Sequence, residues 1–136
     1  MQSLRCGPGT VLCIGDEAVR LNIRCSFLKE HGHLVLSSGA AHEGIISFSK
    51  EQVDAAILEF DSQAEACLVA AELKRLRPNV PVIVLVPDDK VLPDGKMQCA
   101  DIVLSSSDQR SLLRALDSLG LKLQPASETK SLPTTF

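Results

Sequence analysis

The sequence has no tryptophan and no tyrosine, and aromatic residues make up only 3% of it. A buried core must therefore be aliphatic. The scarcity also argues against single-stranded nucleic-acid binding, which stacks bases on aromatic rings. Excess positive charge is missing too. The formal net charge is −3, without the electrostatic footprint of a DNA or RNA binder. The longest apolar run, Val80 to Val86, falls far short of the roughly 20 residues that cross a bilayer. No signal peptide is expected, because the first nine residues contain no apolar core segment.

Cysteine pairing signals are equally sparse. The five cysteines (Cys6, Cys13, Cys25, Cys67, Cys99) are odd in number and never spaced C-x-x-C. Reduced thiols in a cytoplasmic protein are the expectation. Cys13 and Cys67 fall on core-facing patterns as small hydrophobes, and nothing in the pattern lowers a thiol pKa. His31 and His33 flank Gly32 without further ligand residues, so a metal site there is not expected.

What is present is a chain of 136 residues, 45% apolar, enough for one folded domain. Short aliphatic runs alternate with longer amphipathic stretches. Thr10 to Ile14, closed by Gly15 and Asp16, is apolar on both faces, as suits a central parallel strand. The following helix carries Val19, Ile23 and Phe27 every four residues, with Leu28 beside them, and stops at Gly32. His33 to Ser37 reads as a second strand, and about Ala40 to Glu51 as a helix whose Gly44 lowers its regularity. Ala55 to Leu58 is a third strand, ending at Glu59-Phe60-Asp61.

A capping box, Ser62-Gln63-Ala64-Glu65, opens the next helix, which runs to about Arg77 and stops at Pro78. Pro81 to Val86 and Ile102 to Leu104 are the remaining strands. Ser106-Ser107-Asp108-Gln109 reads as a second capping box, before a helix whose Leu112, Leu113, Leu116 and Leu119 share one face. Between Pro87 and Cys99 the pattern breaks into turn chemistry that leaves room for one or two helical turns. The expected organisation is an N-terminal extension over 1–8, one domain over 9–120 and a loose tail over 121–136.

Five strands alternating with helices predict a three-layer α/β sandwich around a parallel sheet. Right-handed crossovers and the doubly wound rule give the strand order 2-1-3-4-5. A functional crevice then lies at the carboxyl ends of strands 1 and 3. Gly15, Asp16, Glu59, Val86 and Ser105 to Ser107 belong there.

Those segments resemble the receiver domain of bacterial two-component response regulators, in a degenerate, pseudo-receiver form. Val11 to Glu17 is similar to the family's first strand and its acidic pair, and Asp54 to Glu59 to the approach to the phosphoacceptor aspartate. Pro81 to Val86 resembles the fourth strand, and Ala100 to Ser107 the fifth strand and its Lys-Pro turn. The match covers about residues 9 to 120 with every element in register.

The resemblance implies a flavodoxin-like fold and a phosphorelay signalling role, but most of the family's chemical groups are replaced. The first acid of the pair is Gly15, while Asp16 is retained. Glu59 stands at the acceptor position, Val86 at the hydroxyl position and Ser106 at the lysine position. Phosphoryl transfer depends on neutralising charge at such a site, so these losses point away from it. Asp16 and Glu59 without the lysine keep the formal charge of the family's three acids and one lysine. Weak Mg²⁺ binding at Asp16 and Glu59 is the most the pair supports, and no cofactor is expected. Asp16 is read as the N-cap of the first helix, with a vestigial metal ligand as the rival. Glu59 is either a permanent imitation of an activated acceptor or a strand-end residue left after the chemistry was lost.

The expectation is a stand-alone, non-enzymatic signalling protein that acts in the cytoplasm through protein–protein contact. Its partner is a two-component signalling protein or a second copy of itself, with no nucleic acid and no membrane. The family's surface of fourth helix, fifth strand and fifth helix implies a contact face at Gln109, Arg110, Arg114 and Asp117. One alternative is a phosphorelay receiver phosphorylated near the end of strand 3, on Asp61, with Asp16 holding Mg²⁺. Another is a small-ligand-binding α/β module, disfavoured because it lacks a Gly-rich phosphate loop and its two carboxylates repel anions.

Overall fold

A computed structural model describes residues 9–87 and 100–119. The expected N-terminal extension, the irregular stretch from 88 to 99 and the tail from 120 onward lie outside the described residues. The elements in chain order are β1 (Thr10–Gly15), α1 (Ala18–Glu30), β2 (Leu34–Ser38), α2 (Ala41–Lys50), β3 (Ala55–Glu59), α3 (Gln63–Leu76), β4 (Val82–Val86), β5 (Ile102–Ser105) and α4 (Gln109–Ser118). All neighbouring strands are parallel, in the order β2-β1-β3-β4-β5. This is the predicted order.

β3 and β4 are buried at every residue, and β1 at all but its first. Their unbroken apolar runs follow from helices covering both faces of a parallel sheet. The alternation of side chains separates two cores. Leu12, Ile14, Ala56, Leu58, Val82 and Val84 meet Phe48 of α2 and Val69, Ala70 and Leu73 of α3. Val11, Cys13, Ala55, Ile57, Ile83 and Leu85 meet Cys25 and Leu28 of α1 and Leu112 and Leu116 of α4.

Local chemistry ends the helices where the sequence expects. α1 finishes in a Schellman motif, with Gly32 at φ 91 and hydrogen bonds from Gly32 N to Lys29 O and from His33 N to Leu28 O. Ser62 accepts from Glu65 N at the start of α3. α2 is regular despite Gly44, because the glycine lets it approach β1. A Cβ there would lie 2.5 Å from Ile14 Cδ1.

Several expectations are corrected. Of the stripe Val19, Ile23 and Phe27, only Phe27 packs against the core, and it is partly buried. Val19 and Ile23 are 63% and 56% exposed, whereas Leu21, Arg24, Cys25 and Leu28 face inward. The capping residue of α1 is Glu17, whose carboxylate accepts from Val19 N and Arg20 N, so Asp16 is not the cap. α4 is capped by Asp108 accepting from Ser111 N, two residues later than a box opening at Ser106. Cys67 is disulfide-bonded, against the expectation of five reduced thiols.

Candidate functional site

The carboxyl ends of β1 and β3 lie side by side, with Gly15 and Glu59 as register partners. On the far side of β3, Val86 ends β4 beside Ser105 of β5, and Ser106 N donates to Val86 O at 2.7 Å. The sheet thus gathers Gly15, Asp16, Glu59, Val86 and Ser106 at one edge. Gly15 brings no side chain and Val86 only an apolar one.

Glu59 is the centre of this edge, and it is buried, with 7% of its surface exposed. A carboxylate so placed needs a partner, because an isolated buried charge costs several kcal/mol at least. The partner is Arg24 of α1, itself 7% exposed. Its Nε lies 3.3 Å from Glu59 Oε1 and its Nη2 3.4 Å from Oε2, a two-pronged pairing. Nη2 also donates to the backbone carbonyl of Ser106 at 2.7 Å. One guanidinium therefore joins α1, the end of β3 and the β5–α4 turn.

A second arginine repeats the device at the rim. Arg20, one helical turn before Arg24, donates from Nη2 to Asp61 Oδ1 at 2.6 Å. It also lies 3.8 Å from an Asp16 oxygen and 3.6 Å from a Glu17 oxygen. Asp61 raises the already high pKa of Arg20 further, so the cation is fixed in charge. Asp16 turns its carboxylate to the backbone N–H of Asp61, both oxygens at 3.3 Å, and ties the β1 loop to the β3 loop. Asp61 is exposed and lies beyond the buried Phe60, outside the recess that holds Glu59.

This arrangement corrects the sequence-based charge balance. The acids are neutralised not by the loss of an acid at Gly15 but by two arginines from α1. Both were hidden by the assumption that Val19 and Ile23 mark the buried side of that helix. Shift the buried stripe to Leu21, Cys25 and Leu28, and Arg24 turns toward the strand ends. The available signal was Glu59 itself, since an acid ending an apolar strand demands a nearby cation.

The residues present do not fit a Mg²⁺ ion well. Magnesium takes carboxylates together with water in near-octahedral geometry. Here Glu59 is held by a guanidinium, and Asp16 by an N–H and the proximity of Arg20. Among the described residues no group of three or more His, Cys, Asp or Glu side chains could hold a metal ion. His31 Nδ1 is engaged with the Phe27 carbonyl at 2.9 Å, and His33 is buried. Among the described residues no helix is long and apolar enough to cross a membrane.

The chain superposes on a response regulator receiver domain protein from Clostridium thermocellum with a TM-score of 0.69, over 82% of this chain and 93% of that one, at 22% identity. The chain has the receiver fold. Response regulator protein TrrA from Thermotoga maritima, in complex with Mg²⁺–BeF, matches with a TM-score of 0.72 at 19% identity, covering 82% and 98% of the two chains. The receiver domain of a sensor histidine kinase from Pseudomonas aeruginosa, with magnesium in its active-site cleft, matches at 0.67 and 16% identity, covering 83% and 98%. No family model matches the sequence, and no curated protein does. The receiver fold is thus preserved here around a cleft edge occupied by arginine.

Proposed function

We propose that this chain is a receiver-like signalling module that acts through protein–protein contact and does not use phosphorylation as its switch. The observation that carries this reading is the seat of Arg24. Its guanidinium engages both oxygens of Glu59 and the Ser106 carbonyl, in the recess where a receiver would bring metal and phosphoryl group together. An incoming Mg²⁺ has to displace a buried cation that is already paired. With Val86 and Ser106 at the other two positions, the recess offers an added phosphoryl group neither a hydroxyl from β4 nor a lysine.

The exposed surface supports a contact role. Arg110, Arg114 and Asp117 are exposed on α4, and Val19 and Ile23 present an apolar strip on α1. The partner is a two-component signalling protein or a second copy of the chain. Incubation with acetyl phosphate and Mg²⁺, read by intact-mass spectrometry, tests the proposal. The mass is expected to stay unchanged. A phosphoryl adduct that vanishes in Asp61→Ala would establish the phosphorelay alternative instead.

A further inference from the structure

Two thiols meet beneath α1, on the same face of the sheet as the Glu59 carboxylate. Cys13 lies on β1 with 1% of its surface exposed, and Cys25 on α1 with 7%. Both are free. The fold dictates their meeting. Cys13 and Ser37 are register partners on adjacent parallel strands, so their side chains leave the sheet on the same face. Cys25 sits on the helix that covers that face, in the cluster containing Val11, Leu28 and Ile57.

The two thiols act on one another's ionisation, and Ser37 acts on Cys25 as well. The interaction with Cys13 draws the Cys25 thiol down to about 7, against the pull of burial and with help from Ser37, Lys29 and Arg24. The same interaction, together with burial, pushes the Cys13 thiol up. A lowered thiol beside a protonated one is the arrangement in which one sulfur attacks and the other resolves.

We propose that Cys13 and Cys25 form a hydroperoxide-sensitive dithiol that closes to a disulfide and staples α1 to β1. The Cys25 thiolate attacks one peroxide oxygen and the O–O bond breaks. The departing hydroxide takes up a proton as water, leaving Cys25 as the sulfenic acid. The Cys13 sulfur then attacks the Cys25 sulfur, loses its proton, and expels the hydroxyl as a second water. Two thiol hydrogens and two electrons have passed to the peroxide, and one S–S bond has formed. Arg24 immediately precedes Cys25, so the staple would act on the helical turn that holds Glu59.

The test uses the full wild-type chain, treated with hydrogen peroxide, alkylated under denaturing conditions and digested with trypsin without reduction. Cleavage after Arg5, Arg20, Arg24 and Lys29 places Cys13 in peptide 6–20 and Cys25 in peptide 25–29. A peroxide-dependent link between these peptides is expected, with fragment ions assigning it to Cys13 and not to Cys6. The intact chain should lose two hydrogens. Oxidation of Cys25 to sulfinic or sulfonic acid without the link would overturn the proposal. So would a link through Cys6, or full alkylation of both cysteines after treatment. Cys13→Ser serves as a second check, since it should convert the linked product into over-oxidised Cys25; an unmodified Cys25 in that variant would also count against the pair.

Discussion

At the scale of single residues, Arg24 and Glu59 dominate. Each is buried, and each is tolerable only because of the other. A buried ion pair often adds little net stability over an apolar pair, yet breaking it from one side costs about 3–5 kcal/mol. Arg24→Met should therefore destabilise the fold by about that amount. Since the chain has no tryptophan, the urea midpoint is best followed by circular dichroism. Adding Glu59→Leu to Arg24→Met should recover much of the loss, because the stranded carboxylate is gone. If the double variant is as unstable as the single one, the pair matters for packing and not for charge.

Asp16 shows where residue-scale reasoning from sequence went astray. Aspartate is a good N-cap, and Asp16 sits at the right distance before α1. Glu17 nevertheless takes the cap, because Asp16 is drawn to the N–H of Asp61 across the loop. A tertiary hydrogen bond from 45 residues away outweighed a local preference. Nothing in the sequence around residue 16 encodes that competition.

At the scale of elements, α1 and α2 carry opposite lessons. α2 was doubted for its glycine, yet Gly44 is what seats it. In an isolated helix, alanine would gain about 1 kcal/mol over glycine. Here its Cβ would press into the Ile14 side chain, and overpacking of this kind costs about 1–3 kcal/mol. Gly44→Ala should therefore lower the thermal midpoint, against the propensity scale. A raised midpoint would mean that Ile14 rotates away freely.

α1 was legible as a helix, with the right stop at Gly32, but its orientation was not. Two stripes compete along it: Val19, Ile23 and Phe27, and Leu21, Cys25 and Leu28. They lie on nearly opposite sides of the helix. The first looks more apolar, but turning it inward would leave Glu59 without Arg24. The energetic demand of one buried carboxylate thus outweighs the exposure of a valine and an isoleucine, each worth about 1.5–3 kcal/mol if buried fully.

At the scale of the whole molecule, the strand order was readable because the central strands are apolar on both faces, which only a doubly covered parallel sheet explains. Register is pinned by features that are less visible. Asp54, just before β3, accepts from Thr10 N at 2.8 Å, and Asp101, just before β5, accepts from Val82 N at 2.7 Å. The same Asp101 oxygen receives Lys74 of α3 at 2.9 Å, joining helix and both strands at one corner. Asp101→Ala should strip these partners and cost about 1–3 kcal/mol. Hydrogen exchange would show it as faster exchange at the Val82 amide, with the β1 amides little changed. The cleft edge stayed less legible than the sheet, since its cation arrives from a residue 35 positions before the acid it serves.

The Arg24–Glu59 pair also constrains how this chain could have arisen. Neither residue is a tolerable first step: arginine alone would meet no carboxylate of the right reach, and glutamate alone would be buried without a counter-charge. The two positions are a lock that must be cut and keyed together. Among homologous chains they should change in concert, an arginine at the first travelling with a glutamate at the second, and the loss of either accompanied by the loss of both.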